Sequence, residues 1–311
     1  MAMPTEFREE APVLELQEVA PGAVRFTQTL RDLSRDPRWW LSLVLLAFVL
    51  AAIFAPLISP YDPLLYHPSI AEQPPTWAHW LGTDSLGRDQ LSRVIYGTRI
   101  SLSVGVLSIL LGGLTGTMLG LLAAYFKGWV DQVVTVVIDA LLAFPGLILA
   151  LGIVAALGGS LINLAVALAV GRIAVYARLA RGQALQIASQ DYVLAAQSTG
   201  TRSGKIMLRH ILPNIFSPLL VQATLSISFA ILDESALSFL GLGVQPPTPE
   251  WGGMITEAQT FITSDPWMLL GPSLAIILVL LSLNLVGDAL RDRLDPRDAA
   301  RISSPFRKTG S

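Results

Sequence analysis

The chain has 311 residues, of which 52% are hydrophobic and only 14% are charged, where soluble proteins average about 25% charged. Together with a mean hydropathy of +0.58, this composition indicates an integral membrane protein. The sequence contains no cysteine, which excludes disulfides, thiol catalysis and cysteine metal sites, and its three histidines have no metal-ligand spacing. The net charge of −2 is uninformative, because the charges are segregated along the chain.

The first 98 residues divide into three parts. Residues 1–38 mix acids, arginines and prolines, and are predicted to be a partly disordered arm with one short interfacial helix. Residues 39–58 provide about the 20 apolar residues that one spanning helix needs, with Trp39 and Trp40 as interface anchors. Residues 59–98 are polar and contain no run long enough to cross a bilayer.

Residues 99–290 are predicted to hold five further spans, followed by a charged tail at 291–311. The spans are expected at about 100–126, 133–157, 161–176, 215–244 and 267–290. The span at 133–157 is expected to kink at Pro145, and the span at 161–176 is expected to be broken near its end by Arg172. Gly112, Gly116 and Gly120 in the second span form a small-residue stripe that lets another helix approach closely. The predicted fold class is all-α, with six transmembrane helices.

The positive charges indicate an orientation. The arm has five arginines, and residues 172–209 and the tail after Leu290 each have six lysines or arginines. Residues 245–266 have no positive charge and three acids. Because positive loops stay in the cytoplasm, both termini and the 172–209 segment are predicted to be cytoplasmic.

The most distinctive stretch is a polar interruption at residues 189–213, which is predicted to form two short helices around a turn. Ser189 is expected to cap the first helix, whose first turn carries Asp191. Gly200 stands where a helix end needs a residue with positive φ, and Pro213 is expected to end the second helix. Charge alone would favour a loop that binds anionic lipid, but this compact shape favours a docking site for another protein.

The same stretch resembles the cytoplasmic signature of the permease subunits of bacterial ABC importers. That signature is Glu-Ala-Ala, three residues, Gly, nine residues and Ile-x-Leu-Pro, and the chain matches it with Leu194-Ala-Ala196, Gly200 and His210-Ile-Leu-Pro213. It departs at Leu194 and His210. The resemblance implies a coupling helix that docks in an ATPase groove, carried by Asp191, Ala195, Ala196, Gly200, Leu212 and Pro213.

Motifs elsewhere extend this resemblance to roughly residues 38–298, and it is closest to the second (C-type) permease of the dipeptide, oligopeptide and nickel group. The matching stretches are Gly82–Asp89, Leu91–Arg93, Gly97–Leu102, Ala143–Pro145, Leu237–Pro247, Trp251–Gly252 and Asn284–Pro296. The resemblance implies the type I importer permease fold (MetI-like) in the bacterial inner membrane. It also implies a homologous permease, two ATP-binding subunits or domains and an extracellular binding protein as partners, beside membrane lipid and no nucleic acid.

No cofactor or catalytic site is predicted on this chain. The nearest approach to a phosphate loop, residues 200–206, has three residues between its glycines instead of four and places Ile206 where a Mg²⁺-binding hydroxyl belongs. ATP and Mg²⁺ are therefore expected on partner subunits. The alternatives are a permease for nickel or another small solute, an ion-coupled secondary transporter, an intramembrane enzyme and a scaffold; the first two are the stronger ones.

Three acids fall within predicted spans, where a charge is costly and often functional. Asp139, Asp233 and Glu234 are candidates for the translocation path, and each could instead be a packed, partnered acid. Adjacent helical residues point about 100° apart, so one of Asp233 and Glu234 is expected to face the path while the other packs between helices. The resemblance slightly favours Glu234 for the path.

Two loops remain. Residues 82–99 mix acids and arginines without the ligand pattern of a calcium loop, and are predicted to be a salt-bridged structural lip on the periplasmic side. The proline-rich stretch 245–251 is expected either to receive the binding protein or to cap the fifth and sixth spans.

Overall fold

The computed structural model describes residues 37–294, and the only pairing of extended backbone among them is an isolated bridge between Thr83 and Asp89. Predictions for most of the N-terminal arm and the end of the tail lie outside these residues. The helices are α1 (Pro37–Ile58), α2 (Gln90–Phe126), α3 (Gly128–Leu142), α4 (Gly146–Leu157), α5 (Leu161–Ala188), α6 (Asp191–Ser198), α7 (Ser203–Ile206), α8 (Leu212–Phe239), α9 (Trp251–Thr260) and α10 (Trp267–Leu294), with a 3-10 turn at Pro68–Ile70 and a π-helical turn at Met207–Ile211.

Helices α1, α2, α5, α8 and α10 are long and apolar enough to cross a membrane. Helices α3 and α4 meet at an 87° bend, and they make a sixth span if the pair crosses together. The expected kink at Pro145 is thus a complete break, because proline has no N–H to continue the helical ladder and its own backbone is extended (φ −56°, ψ 126°).

Three predicted helix boundaries were wrong; a local cap explains the first, and a contact with a distant residue explains the second. Helix α2 begins ten residues before the expected start, because the Asp89 side chain accepts the Ser92 N–H at 2.8 Å and caps the helix. Helix α5 continues through Arg172, whose guanidinium pairs with Asp233 at 2.6 Å. Helix α8 ends at Phe239, short of residue 244, and Gly241 follows with φ +78°.

The centre of the molecule is the contact between α2 and α5, as the glycine stripe predicts. A Cβ on Gly112, Gly116 or Gly120 would collide with the α5 backbone, at the carbonyls of Ala169, Ile173 and Ala177 respectively. The two backbones therefore touch at three points over about two turns. These contacts add dispersion attraction, which helices in lipid need because lipid offers no hydrophobic drive for them to associate.

Replacing Gly116 with alanine is expected to destabilise the chain by about 1–3 kcal/mol, because the added methyl overpacks this contact. Gly152 on α4 is the matched control, since a Cβ there meets nothing within 4 Å. Thermal unfolding of the two purified alanine variants measures the difference. Equal midpoints would show that the α2–α5 contact tolerates a methyl group.

An ionic cluster joins the start of α2 to α9 at the end of the bundle opposite residues 189–213. Asp84 is fully buried and pairs with Arg88 at 2.6 Å and with Arg93, and both arginines also contact Glu257. The buried indole of Trp251 donates to the Val94 carbonyl at 3.1 Å. The predicted salt bridges are confirmed, whereas the periplasmic side of this lip stays a prediction. Trp251 holds the end of the proline-rich loop against α2.

Candidate functional site

The 189–213 segment forms the predicted pair of short helices around a glycine turn. Gly200 has φ +75°, in the left-handed region that a side chain makes costly. Its N–H donates to the Gln197 carbonyl at 3.0 Å, and the Thr201 N–H donates to the Ala196 carbonyl at 3.1 Å. These bonds use carbonyls that the end of α6 leaves free, so the turn is a specific cap and not a loose connection.

Apolar anchors fix this segment to the helical bundle. Val193 of α6 and Ile206 of α7 are completely buried, and Ile211 is almost so. They pack in one cluster with Tyr176 of α5 and Ile215 of α8. A force on the segment is therefore transmitted to both α5 and α8 through a close-packed interior, which deforms little.

The opposite face of the segment is open. Asp191, Ala195 and Gly200 are exposed, and so are two large apolar side chains, Tyr192 at 45% and Leu194 at 46%. Of the other predicted coupling residues, Ala196 and Leu212 are partly buried and Pro213 is exposed. Small residues with a few exposed apolar groups form a surface that a protein groove can pack against.

Two details of the predicted segment were wrong. Ser189 does not cap α6, because its hydroxyl donates backwards to the Gln186 carbonyl at 2.9 Å and ends α5. Pro213 does not end a helix; it lies in the first turn of α8, where a missing N–H is tolerated. The π-helical turn at Met207–Ile211 precedes it, so α7 runs into α8 through one wide turn.

Sequence reasoning missed a brace across this segment. The Asn214 side chain donates to the Tyr192 hydroxyl at 3.2 Å and to the His210 carbonyl at 2.7 Å. The rings of Tyr192 and His210 also approach, with centroids 6.4 Å apart. An asparagine just after the helical proline, opposite a tyrosine in the first turn of α6, was the available signal.

Each of the two aspartates among the three candidate path residues has an arginine partner on α5. Asp233 pairs with Arg172 at 2.6 Å, and Asp139 pairs with Arg178 at 2.5 Å. The Asp233 side chain is 32% exposed and the Asp139 side chain 58% exposed. The complementary charge at Arg172, inside a predicted span, was the signal that sequence reasoning left unused.

Glu234 is fully buried and is the acid that packs between helices, while its neighbour Asp233 points to the open side. The Ser101 and Ser235 hydroxyls lie 3.4 Å from its carboxyl oxygens. In this conformation the Asp233 side chain is partly exposed, whereas Glu234 is fully buried. A path role for any of the three acids stays a prediction.

Glu250 lies beside Glu234 and holds the start of α9. Its carboxyl accepts the Ser238 hydroxyl and the Val244 N–H, the latter at 2.8 Å, and burial raises its pKa. Within residues 37–294 no group of three or more histidines and acids could hold a metal ion. Through Ser238, Glu250 joins the proline-rich loop to α8.

Comparisons with known proteins agree with this geometry. A family profile described as "Binding-protein-dependent transport system inner membrane component" matches residues 116–298. A second profile, "N-terminal TM domain of oligopeptide transport permease C", matches residues 25–75. The chain belongs to the binding-protein-dependent permease family.

Relatives cover most of the chain. It is 43% identical to the dipeptide transport system permease protein DppC of Alkalihalophilus pseudofirmus, over 82% of this chain and 84% of that protein. It is 44% identical to the di/tripeptide permease DppC of Pseudomonas aeruginosa and to the glutathione permease GsiD of Pectobacterium atrosepticum, over 82% of this chain and 86% and 85% of theirs.

A solved structure gives the fold. The inward-facing MetNI methionine ABC transporter matches with a TM-score of 0.54 at 18% identity, over 65% of this chain and 96% of that chain. The chain is thus a multi-pass inner-membrane permease with the MetI-like fold.

Proposed function

We propose that this chain is one of two permease subunits that form the translocation path of an ATP-driven importer for short peptides. The substrate class follows the relatives, which transport dipeptides, di- and tripeptides, or glutathione by name. The observation that carries the proposal is the 189–213 segment, anchored at Val193 and Ile206 and open at Ala195 and Gly200. It offers a rigid docking surface for an ATPase subunit.

Both termini and this segment are cytoplasmic in the proposal, as the distribution of positive charge indicates. A homologous permease completes the path, and an extracellular binding protein delivers the peptide. ATP and Mg²⁺ bind to the ATPase subunits, and this chain binds no cofactor. Residues 203–206, the end of the phosphate-loop lookalike, form a helical turn, and Ile206 is buried in the core.

In this proposal, transport depends on a helix movement that links the ATPase subunits to the translocation path. When the ATPase grooves close, α6 moves with them. It carries α5 and α8 along, because Val193 of α6 and Ile206 of α7 are packed against both helices. The path then switches between outward and inward access, and binding of ATP is coupled to release of the peptide.

An ion-coupled transporter is the second candidate, and the arginine partners weigh against it. Asp139 and Asp233 are already neutralised, so they offer no free charge to a travelling cation. Glu234 has no arginine partner among the described contacts, so an ion-coupled mechanism would depend on it.

The test is uptake by reconstituted vesicles that contain this chain, co-purified with its sister permease and ATPases, and the binding protein. Labelled di- and tripeptides are expected to accumulate with ATP and not with a proton gradient alone. Nickel and small solutes are assayed in parallel to settle the substrate. Uptake driven by a proton gradient without ATP would contradict the proposal, and so would purification without ATPase subunits.

A further inference from the structure

The break between α3 and α4 lies deep in the membrane. The Cα of Gly146 is 4.0 Å from the point where a Cβ on Gly171 would stand, so the break is level with the eleventh residue of α5. That residue lies about 15 Å along the helix from Leu161, at 1.5 Å per residue. The hydrocarbon core is about 30 Å thick, which places the break near its middle.

The break leaves polar backbone uncovered at this depth. Pro145 has no N–H for the Leu141 carbonyl, and no side chain caps the start of α4. All four residues from Ala143 to Gly146 are exposed on the chain. Unpaired backbone groups cannot face hydrocarbon, and irregular backbone at membrane depth is tolerated where it lines water or is buried in protein.

Two ion pairs near the break argue against lipid as its cover. Arg172 and Asp233 pair beside Gly171, and Arg178 and Asp139 pair one to two turns further along α5. Both side chains of the Arg178–Asp139 pair are about 60% exposed (61% and 58%). Charged groups in spans face the interior of a helix bundle or a water-filled cavity, so the face around the break does not contact lipid.

Phe144 is the one large side chain among the four residues of the break. Its side chain is 61% exposed at the corner of the bend, next to the apolar wall formed by Ile148 and Gly152 of α4. We infer that residues Ala143–Gly146 line the translocation path and that the Phe144 ring is its apolar constriction. This inference rests on the proposed transport function. A ring that projects into a narrow, wet path closes it by excluding water, and a small rotation of the bend opens it.

The absence of native cysteine allows a direct test. Phe144→Cys carries the only thiol of this chain, and it is assayed in the full complex, with cysteines removed from the partners, using a charged, water-soluble methanethiosulfonate reagent. Leu114→Cys on α2 is the matched control, because Leu114 is 66% exposed with no break beside it. Thiols react as thiolates in water, so Phe144→Cys is expected to label about tenfold faster or more.

The labelling rate of Phe144→Cys is also expected to change between the nucleotide-free complex and the complex trapped with ATP. A rate as low as that of Leu114→Cys in both states would overturn the inference, because it would place the bend in lipid or in a dry subunit contact. Ala143→Cys tests the same wall if the first variant does not assemble. ATP-driven uptake by the native complex is measured separately, so failure of the proposed function gives a different result.

Discussion

Replacing Gly200 with isoleucine is expected to reduce substrate-stimulated ATP hydrolysis by the assembled importer by at least about tenfold. Gly200 has φ +75°, and a side chain in this region costs roughly 1–2 kcal/mol, more when it is β-branched. The turn relaxes to relieve this strain and displaces the exposed end of α6. A loss of about 1.4 kcal/mol in docking corresponds to a factor of ten.

Gly204→Ile is the control for this variant. Gly204 is also exposed, and a Cβ there also meets nothing within 4 Å, but it lies in α7 without a positive φ. Near-normal hydrolysis by Gly204→Ile would assign the effect to the backbone of Gly200 and not to surface bulk. Both variants are expected to insert in the membrane at normal levels. Unimpaired peptide uptake by Gly200→Ile would contradict the coupling role.

Replacing Asp84 with asparagine is expected to destabilise the chain by about 3–5 kcal/mol, the usual cost of breaking a buried ion pair. Asp84 is fully buried and accepts bonds from Arg88, from Arg93 and from the backbone N–H of Leu86 at 2.9 Å. Asparagine keeps the shape but removes one negative charge, so that Glu257 is the one carboxylate left to the two buried guanidinium groups among the described ion pairs. The measurement is thermal unfolding of the purified chain in detergent.

Asp62→Asn is the matched control for Asp84→Asn. Asp62 is exposed, and the one described hydrogen bond of its side chain is accepted from the Leu64 N–H at 2.9 Å, a role that asparagine also fills. Its free energy of unfolding is expected to lie within about 0.5 kcal/mol of that of the native chain, as for most surface substitutions. An equally small effect for Asp84→Asn would show that the ionic cluster contributes little to stability.

Local chemistry made much of the fold predictable. Apolar runs of about 20 residues located the spans, since a bilayer requires that length. The four-residue spacing of Gly112, Gly116 and Gly120 predicted a close helix contact, but it did not predict that α5 is the partner. The turn at Gly200 was predictable because a positive φ depends on one residue and its immediate neighbours.

Features that depend on distant residues were missed. Arg172 alone is a helix-breaking charge in a membrane, and only its pairing with Asp233, 61 residues away, makes a continuous helix possible. The Ser189 hydroxyl could either cap the start of α6 or bond a carbonyl at the end of α5. In the structure it bonds the Gln186 carbonyl of α5. The separation of Asp233 from Glu234 was predicted in principle, but which one is buried depends on how α8 rotates against α2.

The close contact between α2 and α5 has a consequence for how motion crosses the membrane. Only Ser189 and Gln190 separate α5 from α6, and α5 is a single helix of 28 residues, about 42 Å long. Backbone contact at Gly112, Gly116 and Gly120 stiffens it against bending, so the two helices behave as one rod. In the proposed transport cycle, a push on α6 would tilt this rod, which carries Arg172 partway along its length.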